Sequence, residues 1–320
     1  MKTKIWLISA ALLILAGLII FVGVMTVLKW DFTKISTSRF ETKEMEINDS
    51  FTNISIATKT ANVAFMPTDR EKPYVILYEQ KNLGHVLSIN DNTLTVEIKD
   101  TRKWYEYIGI NFKEPKITVY LPNSSYGLCT VKTSTGDVEI PKSFTFESLD
   151  VSGSTGNINC SASVTGAIKI KLSTGDINLE NISAASLDLT VSTGKINVSG
   201  VNCSGDIKTK VSTGKMSLTD VTCKSLTSDG DTGDTYFKNV IATEKFDIKR
   251  DTGDVNFERC DAAEIFVTTD TGDVKGTLLT EKVFFPRSNT GKTETPKTIT
   301  GGVCEITTDT GDIVISVVSQ

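Results

Sequence analysis

The chain has 320 residues, room for two ordinary domains or one long repeat array, and a formal net charge of −5 that speaks against nucleic acid as a partner. Its six cysteines include no C-x-x-C pair and His85 is the only histidine, which excludes zinc or haem ligation as an organising chemistry. From Asp229 onwards there are 17 acidic and 10 basic residues, so the negative charge sits in the C-terminal part.

Residues 5–28 are an uninterrupted apolar run of 24, long enough to cross a bilayer core of about 30 Å. Lys2 and Lys4 precede the run, and Lys29 and Trp30 close it. No small-residue cleavage site and no lipobox cysteine follow, so an uncleaved signal anchor is expected. Residues 1–4 are then a cytoplasmic tail, 5–28 a single-pass span of the cell membrane, and the bulk of the chain extracytoplasmic. Residues 29–43 are polar and mixed in charge, and read as a stalk.

Residues 44–128 alternate in short bursts, such as Ile54-Ser55-Ile56, Val63-Ala64-Phe65 and Tyr74-Val75-Ile76-Leu77-Tyr78. Strands this short, separated by polar turns at irregular spacing, predict an irregular β cap on whatever follows. Trp104, Tyr105 and Tyr107 form its one dense aromatic cluster, readable as a contact patch for sugar or headgroups or as filling for the cap.

Residues 129–320 repeat. Ser134-Thr135-Gly136-Asp137 returns nine times, its glycine at 156, 175, 194, 214, 233, 253, 272, 291 and 311, always 19 or 20 residues on. The residue before Thr is Ser in the first five copies, Asp at 231, 251, 270 and 309, and Asn at 289. Two and four residues after the glycine, and seven and five before it, the positions are mostly apolar; Lys, Asp, Asn, Ser and Thr fill the spaces between. This is period-two alternation on two strands per repeat. So short a unit buries its apolar face only by coiling onto identical neighbours about 4.8 Å away. The fold class is therefore all-β, a single-stranded β-solenoid (a right-handed β-helix is expected) of about ten rungs.

The glycine supplies a positive φ at the corner, and the Ser or Asp two places earlier is placed to bond the bend's amides. Thr stacks on Thr. Pro286, Thr293, Thr295 and Pro296 weaken one rung, where a bulge is expected between residues 287 and 297. The last rung, 313–318, has no cap after it, and its open edge predicts self-association. Cys129, Cys160 and Cys304 fall on inward ladders. Cys203 and Cys223 lie on adjacent rungs, close enough to consider a bridge, though stacked free thiols fit the small residues found there in other rungs.

Asp-Thr-Gly is also the active-site tripeptide of aspartic proteases, but here Ser and Asn replace its Asp in the same frame, and nothing would shield or pair it as a dyad. A cation is a different matter. Asp231, Asp251 and Asp270 should stack along one edge and Asp234, Asp254 and Asp273 along another. Calcium would relieve the repulsion of such stacks; solvent-screened turn aspartates are the plainer reading. No other cofactor is implied. Solenoids that cut polysaccharides need insertions to wall a groove, and these intervals carry none, so no enzyme is expected.

A lone N-terminal apolar helix, an irregular β region closing on Ile117-Thr118-Val119-Tyr120-Leu121-Pro122, and repeats of the form S/D-T-G-D-I/V-x-L/F together resemble the DUF4097 family of bacterial adhesin-like proteins. That family includes membrane-anchored LiaG-like proteins of Gram-positive bacteria. The resemblance covers residues 40–320. It implies a solenoid at the outer face of the membrane, with a link to envelope stress, and transfers no catalytic residue. Two functions follow as expectations: adhesin-like binding of a cell-envelope polymer or surface protein, or a scaffold or regulatory partner in an envelope-stress system.

Overall fold

A computed structural model describes residues 2–35, 39–104 and 113–318. Lys2–Val27 is one helix. Within it, the 24 residues Lys4–Val27 include an 18-residue stretch of mean hydropathy 2.9, long and apolar enough to cross a membrane, a test that a signal sequence also passes. A short 3-10 turn, Phe32–Ile35, leads to the first strand, Phe40–Glu46, which takes up part of the expected stalk.

One turn of the coil shows how the sequence builds all of them. Ala167–Thr174 runs to the Thr-Gly corner, Ile177–Glu180 leaves it, and Ser183–Ala184 forms a brief third flank before Ser186–Thr193 begins the next turn. Each strand pairs in parallel, in register, with its counterpart one repeat on: Ile168 faces Leu187, Ile177 faces Ile196, Ser183 faces Asn202. Ile168, Ile170, Leu172, Ile177, Leu179, Ile182 and Ala184 point inward and are buried, while the residues between them face water. Because every rung repeats this parity, the apolar ladders merge into one continuous core. Phe237, Phe246 and Phe257 stack within it at ring distances of 5.5 to 6.2 Å.

A second corner lies six residues after the glycine, at Asn181, Gly200, Asp220, Asn239 and Arg259, with φ between 50° and 62°. Asn, Asp and Gly visit this left-handed region at least cost, which explains their recurrence at that offset.

The region expected to be an irregular cap contains two further rungs. Asn53–Thr58 pairs in parallel with Ser125–Thr135, and Asn62–Pro67 with Val138–Ile140, so Thr60-Ala61-Asn62 occupies a Thr-Gly-Asp corner with alanine in place of glycine. Thr93–Asp100 and Lys116–Leu121 pair on the other side of that rung. The boundary at residue 128 thus moves back. The coil reaches residue 53, and only Phe40–Glu46, Tyr74–Gln80 and Leu83–Asn90, which pair antiparallel, close its end. Tyr105 and Tyr107 lie outside the described residues, and Trp104 is 78% exposed.

Chain order and stacking order part company at both ends. Asn53–Pro67 lies between a rung that precedes it in space, 93–121, and one that follows, 125–140. At the far end Glu264–Thr271 pairs with Gly302–Thr310, which pairs in turn with Lys282–Thr290. The C-terminal repeat is therefore inside the stack and the penultimate one is outermost. Lys282–Thr290 pairs in regular register, and the distortion expected between residues 287 and 297 falls after it, where the leaving flank is cut to Thr293–Glu294. One expectation is corrected: the last repeat is not a bare edge, since Thr293–Glu294 covers Ile313 and Val314. The physical reason is polarity: Cys304, Ile306, Ile313 and Ile315 need burial on both sides, whereas the rung with Pro286 and Thr293 tolerates solvent.

Candidate functional site

The Thr-Gly corner organises the surface. Its ten glycines have φ between 128° and 157°. A Cβ on Gly175 would lie 2.7 Å from the carbonyl carbon of Gly156 and closer still to its oxygen, and each neighbouring pair repeats that clash. Glycine is thus required twice, by φ and by the close approach of backbone to backbone. The threonines stack as expected, Thr155 beside Thr135 and Thr174 and so on along the edge.

The aspartate after the glycine has a role that charge-stacking arguments miss. Its Oδ1 accepts the amide N–H of the equivalent residue in the next rung: Asn157 N–H to Asp137 at 2.7 Å, Asp176 N–H to Asn157 at 3.0 Å, Lys195 N–H to Asp176 at 2.9 Å. Lys195 and Lys215 offer no acceptor, and the ladder resumes at Asp234, Asp254 and Asp273, which receive the amides of Asp254, Asp273 and Asp312 at 3.3, 2.8 and 2.7 Å. The free oxygens of Asp234 and Asp273 face Lys215 and Lys275. The bond from Lys275, followed by the Asp312 amide, lowers the Asp273 pKa below its ordinary value. Asp231, Asp251 and Asp270 are exposed on the row two residues before the glycine. The six aspartates therefore form two separate rows, one bonded into the corner and one in water. Among the described residues no group of three or more His, Cys, Asp or Glu converges as a metal cage.

Two buried polar clusters had no signal in the repeat pattern. In the cap, Glu79 is 1% exposed and accepts the His85 backbone amide at 2.7 Å, the His85 ring at Nδ1 at 2.9 Å, and Lys43 at 2.9 Å. Burial raises the Glu79 pKa, but these bonds outweigh it and leave it below the ordinary carboxylate range. An ionised Glu79 obliges Nδ1 to donate, and Nε2 lies 3.0 Å from the Thr58 hydroxyl, from which it accepts when the ring is neutral. The connectivity is that of a hydrolytic triad, yet Thr58 is 6% exposed and the space beside it is about 30 Å³, room for water and not for a substrate. As built, the cluster clamps the antiparallel cap onto the first rung.

In the rod, Arg250 is 3% exposed and bonds no carboxylate: it donates to the hydroxyls of Thr235 at 2.7 Å and Ser228 at 3.1 Å and to the Met216 sulfur at 4.0 Å. Its guanidinium occupies the space left by Gly230 in the rung before, where a Cβ would collide with it. Burial pushes its pKa down to about 10. All six cysteines are free and buried, Cys203 and Cys223 included, and burial pushes the Cys223 thiol up to about 12.

Fold and surface together define a repeat-built β-solenoid whose corners are structural and whose outer rows carry polar side chains. Residues 51–211 and 202–320 match the DUF4097 family, described as Toastrack, and the chain belongs to it. Similar solved structures include a "putative adhesin" of Bacteroides fragilis, 18% identical with a TM-score of 0.46, the match covering 75% of this chain and 96% of that one. A second, from Parabacteroides distasonis, is 12% identical with a TM-score of 0.45, over 76% and 97% of the two chains. A "putative lipid binding protein" from the same species is 16% identical with a TM-score of 0.33, over 77% and 98%. No curated protein matches the chain.

Proposed function

We propose that the chain is a non-enzymatic surface protein, held in the membrane by its N-terminal helix, whose extracytoplasmic rod binds a cell-envelope polymer or surface protein in the manner of an adhesin. One observation carries this reading. The outward rows repeat at strand spacing along an unbroken rod, offering many equivalent contacts to a repetitive ligand. Repeats of 19 or 20 residues leave no chain to wall a catalytic cleft. The test is capture of cell-wall, membrane and secreted fractions by the full chain in detergent. Retention of wall material supports the reading, and a chain that retains none of the fractions overturns it.

A second reading, a scaffold or regulatory partner in an envelope-stress system, draws on the short connection at residues 28–39, which keeps the cap close in sequence to the helix. Removing residues 1–29 separates the two. A binder keeps its ligand after the deletion, whereas a membrane-bound scaffold loses its signalling output.

A further inference from the structure

The third residue after each corner glycine points outward on the flank that leaves the corner. Between Glu139 and Lys275 this row runs Asn159, Asn178, Asn197, Ser217, Tyr236, Asn256, each in register with the next. Asn197 donates through Nδ2 to Asn178 Oδ1, and Asn178 to Asn159 Oδ1, each at 2.8 Å. Asn178 spends one N–H and one lone pair on its neighbours, Asn197 one N–H and Asn159 one lone pair, and each keeps the rest for a ligand. The ladder therefore fixes the orientation of its amides before anything binds.

Beyond the asparagines the row changes character. Tyr236 is 42% exposed, the one ring in a polar row. It stands beside Ser217 and Thr219, whose short side chains leave a groove of about 500 Å³. Lys238 and Glu258 border that groove and pair with each other at 2.7 Å. The Tyr236 hydroxyl lies 3.4 Å from Asp234 Oδ2, and the Lys215 ammonium is 5.9 Å from the ring centre, which restrains the ring from one side.

We propose that this groove and the amide row leading into it bind a linear, neutral, β-linked glycan, of which an N-acetylhexosamine strand is the type. The inference rests on the surface-binding reading above and gives it a site. Three features select the occupant. An exposed ring flanked by amides and hydroxyls suits a ligand with an apolar C–H face and a rim of hydroxyl and acetamido groups. The row repeats at about 4.8 Å, close to the length of one pyranose unit, so successive sugars meet successive rungs. From Asn159 to Asn256 the row carries no charge, and Lys238 and Glu258 cancel beside it, so a polyanion gains no electrostatic advantage there.

The experiment is calorimetric titration of the full chain in detergent with chitotetraose and cellotetraose, with poly-L-glutamate as the anionic comparison and sedimentation with wall sacculi alongside. The tetrasaccharides should bind saturably and more tightly than the disaccharides. Tyr236→Ala should weaken binding about tenfold, the loss expected of an aromatic anchor. Ser217→Arg, which fills the groove without touching the core, should do the same, and Phe285→Ala at the far end of the rod should change nothing. Unaltered affinity in both groove variants overturns the site, as does binding of poly-L-glutamate alone. If sacculi are bound and neither tetrasaccharide is, the glycan site fails while the envelope-binding reading stands. If the wild-type chain binds neither sacculi nor glycans, both fail.

Discussion

Gly194 shows what a single corner residue supports. Its φ is 145°, and a Cβ there would press into the backbone of Gly175. Gly194→Ala should cost about 3 kcal/mol or more, from strain plus displacement of a neighbouring rung, and lower the melting temperature accordingly. An unchanged melting temperature would mean that the corner relaxes freely. Glu79 gives a prediction in pH. Its folded pKa lies below the unfolded value, so its stabilisation is present above that unfolded value, near 4.5, and is lost as pH falls through the folded one. Glu79→Gln should lower stability at neutral pH by about 2 kcal/mol and flatten the acid side of the stability profile, read by urea melts at several pH values. The glycine was legible in the sequence because the stacked corners need its positive φ, and so it recurs in all ten copies from Gly136 to Gly311, Ala61 at the first corner being the exception. The aspartate's role was not. Asp and Asn serve equally as acceptors for an amide in the next rung, so a reading based on charge sees repulsion where the structure has a hydrogen-bond ladder.

At the scale of the rung, the open question is what orders units so alike. Gly153 and Gly230 each leave room for a larger inward side chain in the following rung, Leu172 and Arg250, and thereby fix particular neighbours. The end rungs are sorted by polarity. Five residues before its glycine, the outermost rung carries Pro286. In the other rungs the amide seven before the glycine bonds forward, as Leu187 N–H does to the Asp206 carbonyl at 3.1 Å, and the residue five before shares that direction by parity. On the outermost rung, forward is solvent. Pro286 therefore costs no ladder bond and removes a donor from the one long exposed edge at this end, a guard against edge pairing. Pro286→Thr should leave the fold intact and produce concentration-dependent association by light scattering; a variant as monodisperse as the wild type would contradict this role. The sequence marked that rung as weak, and it is. What it could not show is that the weakness comes from being a lid, because repeat patterns state which residues face inward and leave the stacking order open. The rung at 53–67 was hidden for a related reason, since Ala61 breaks the Thr-Gly signature and the next corner is 75 residues away along the chain.

For the whole molecule, membership of DUF4097 and the parallel coil agree with what the ten-fold repeat implied. The acidic C-terminal rungs need no cation to hold their corners, because each inner carboxylate has an amide and two have lysines. Millimolar calcium should therefore leave the melting temperature unmoved, and a rise of several degrees, with reversal by chelator, would restore the calcium reading. On the proposed reading the binding surface is the set of polar rows outside the core, with the amide row leading to Tyr236 the most specific of them. The most direct measurement is sedimentation of the full detergent-solubilised chain with purified wall sacculi, wild type beside Tyr236→Ala. The account predicts that the wild type pellets with the sacculi, is displaced by chitotetraose, and loses about tenfold in affinity in the variant. A wild-type chain that stays in the supernatant at every sacculus concentration would contradict it.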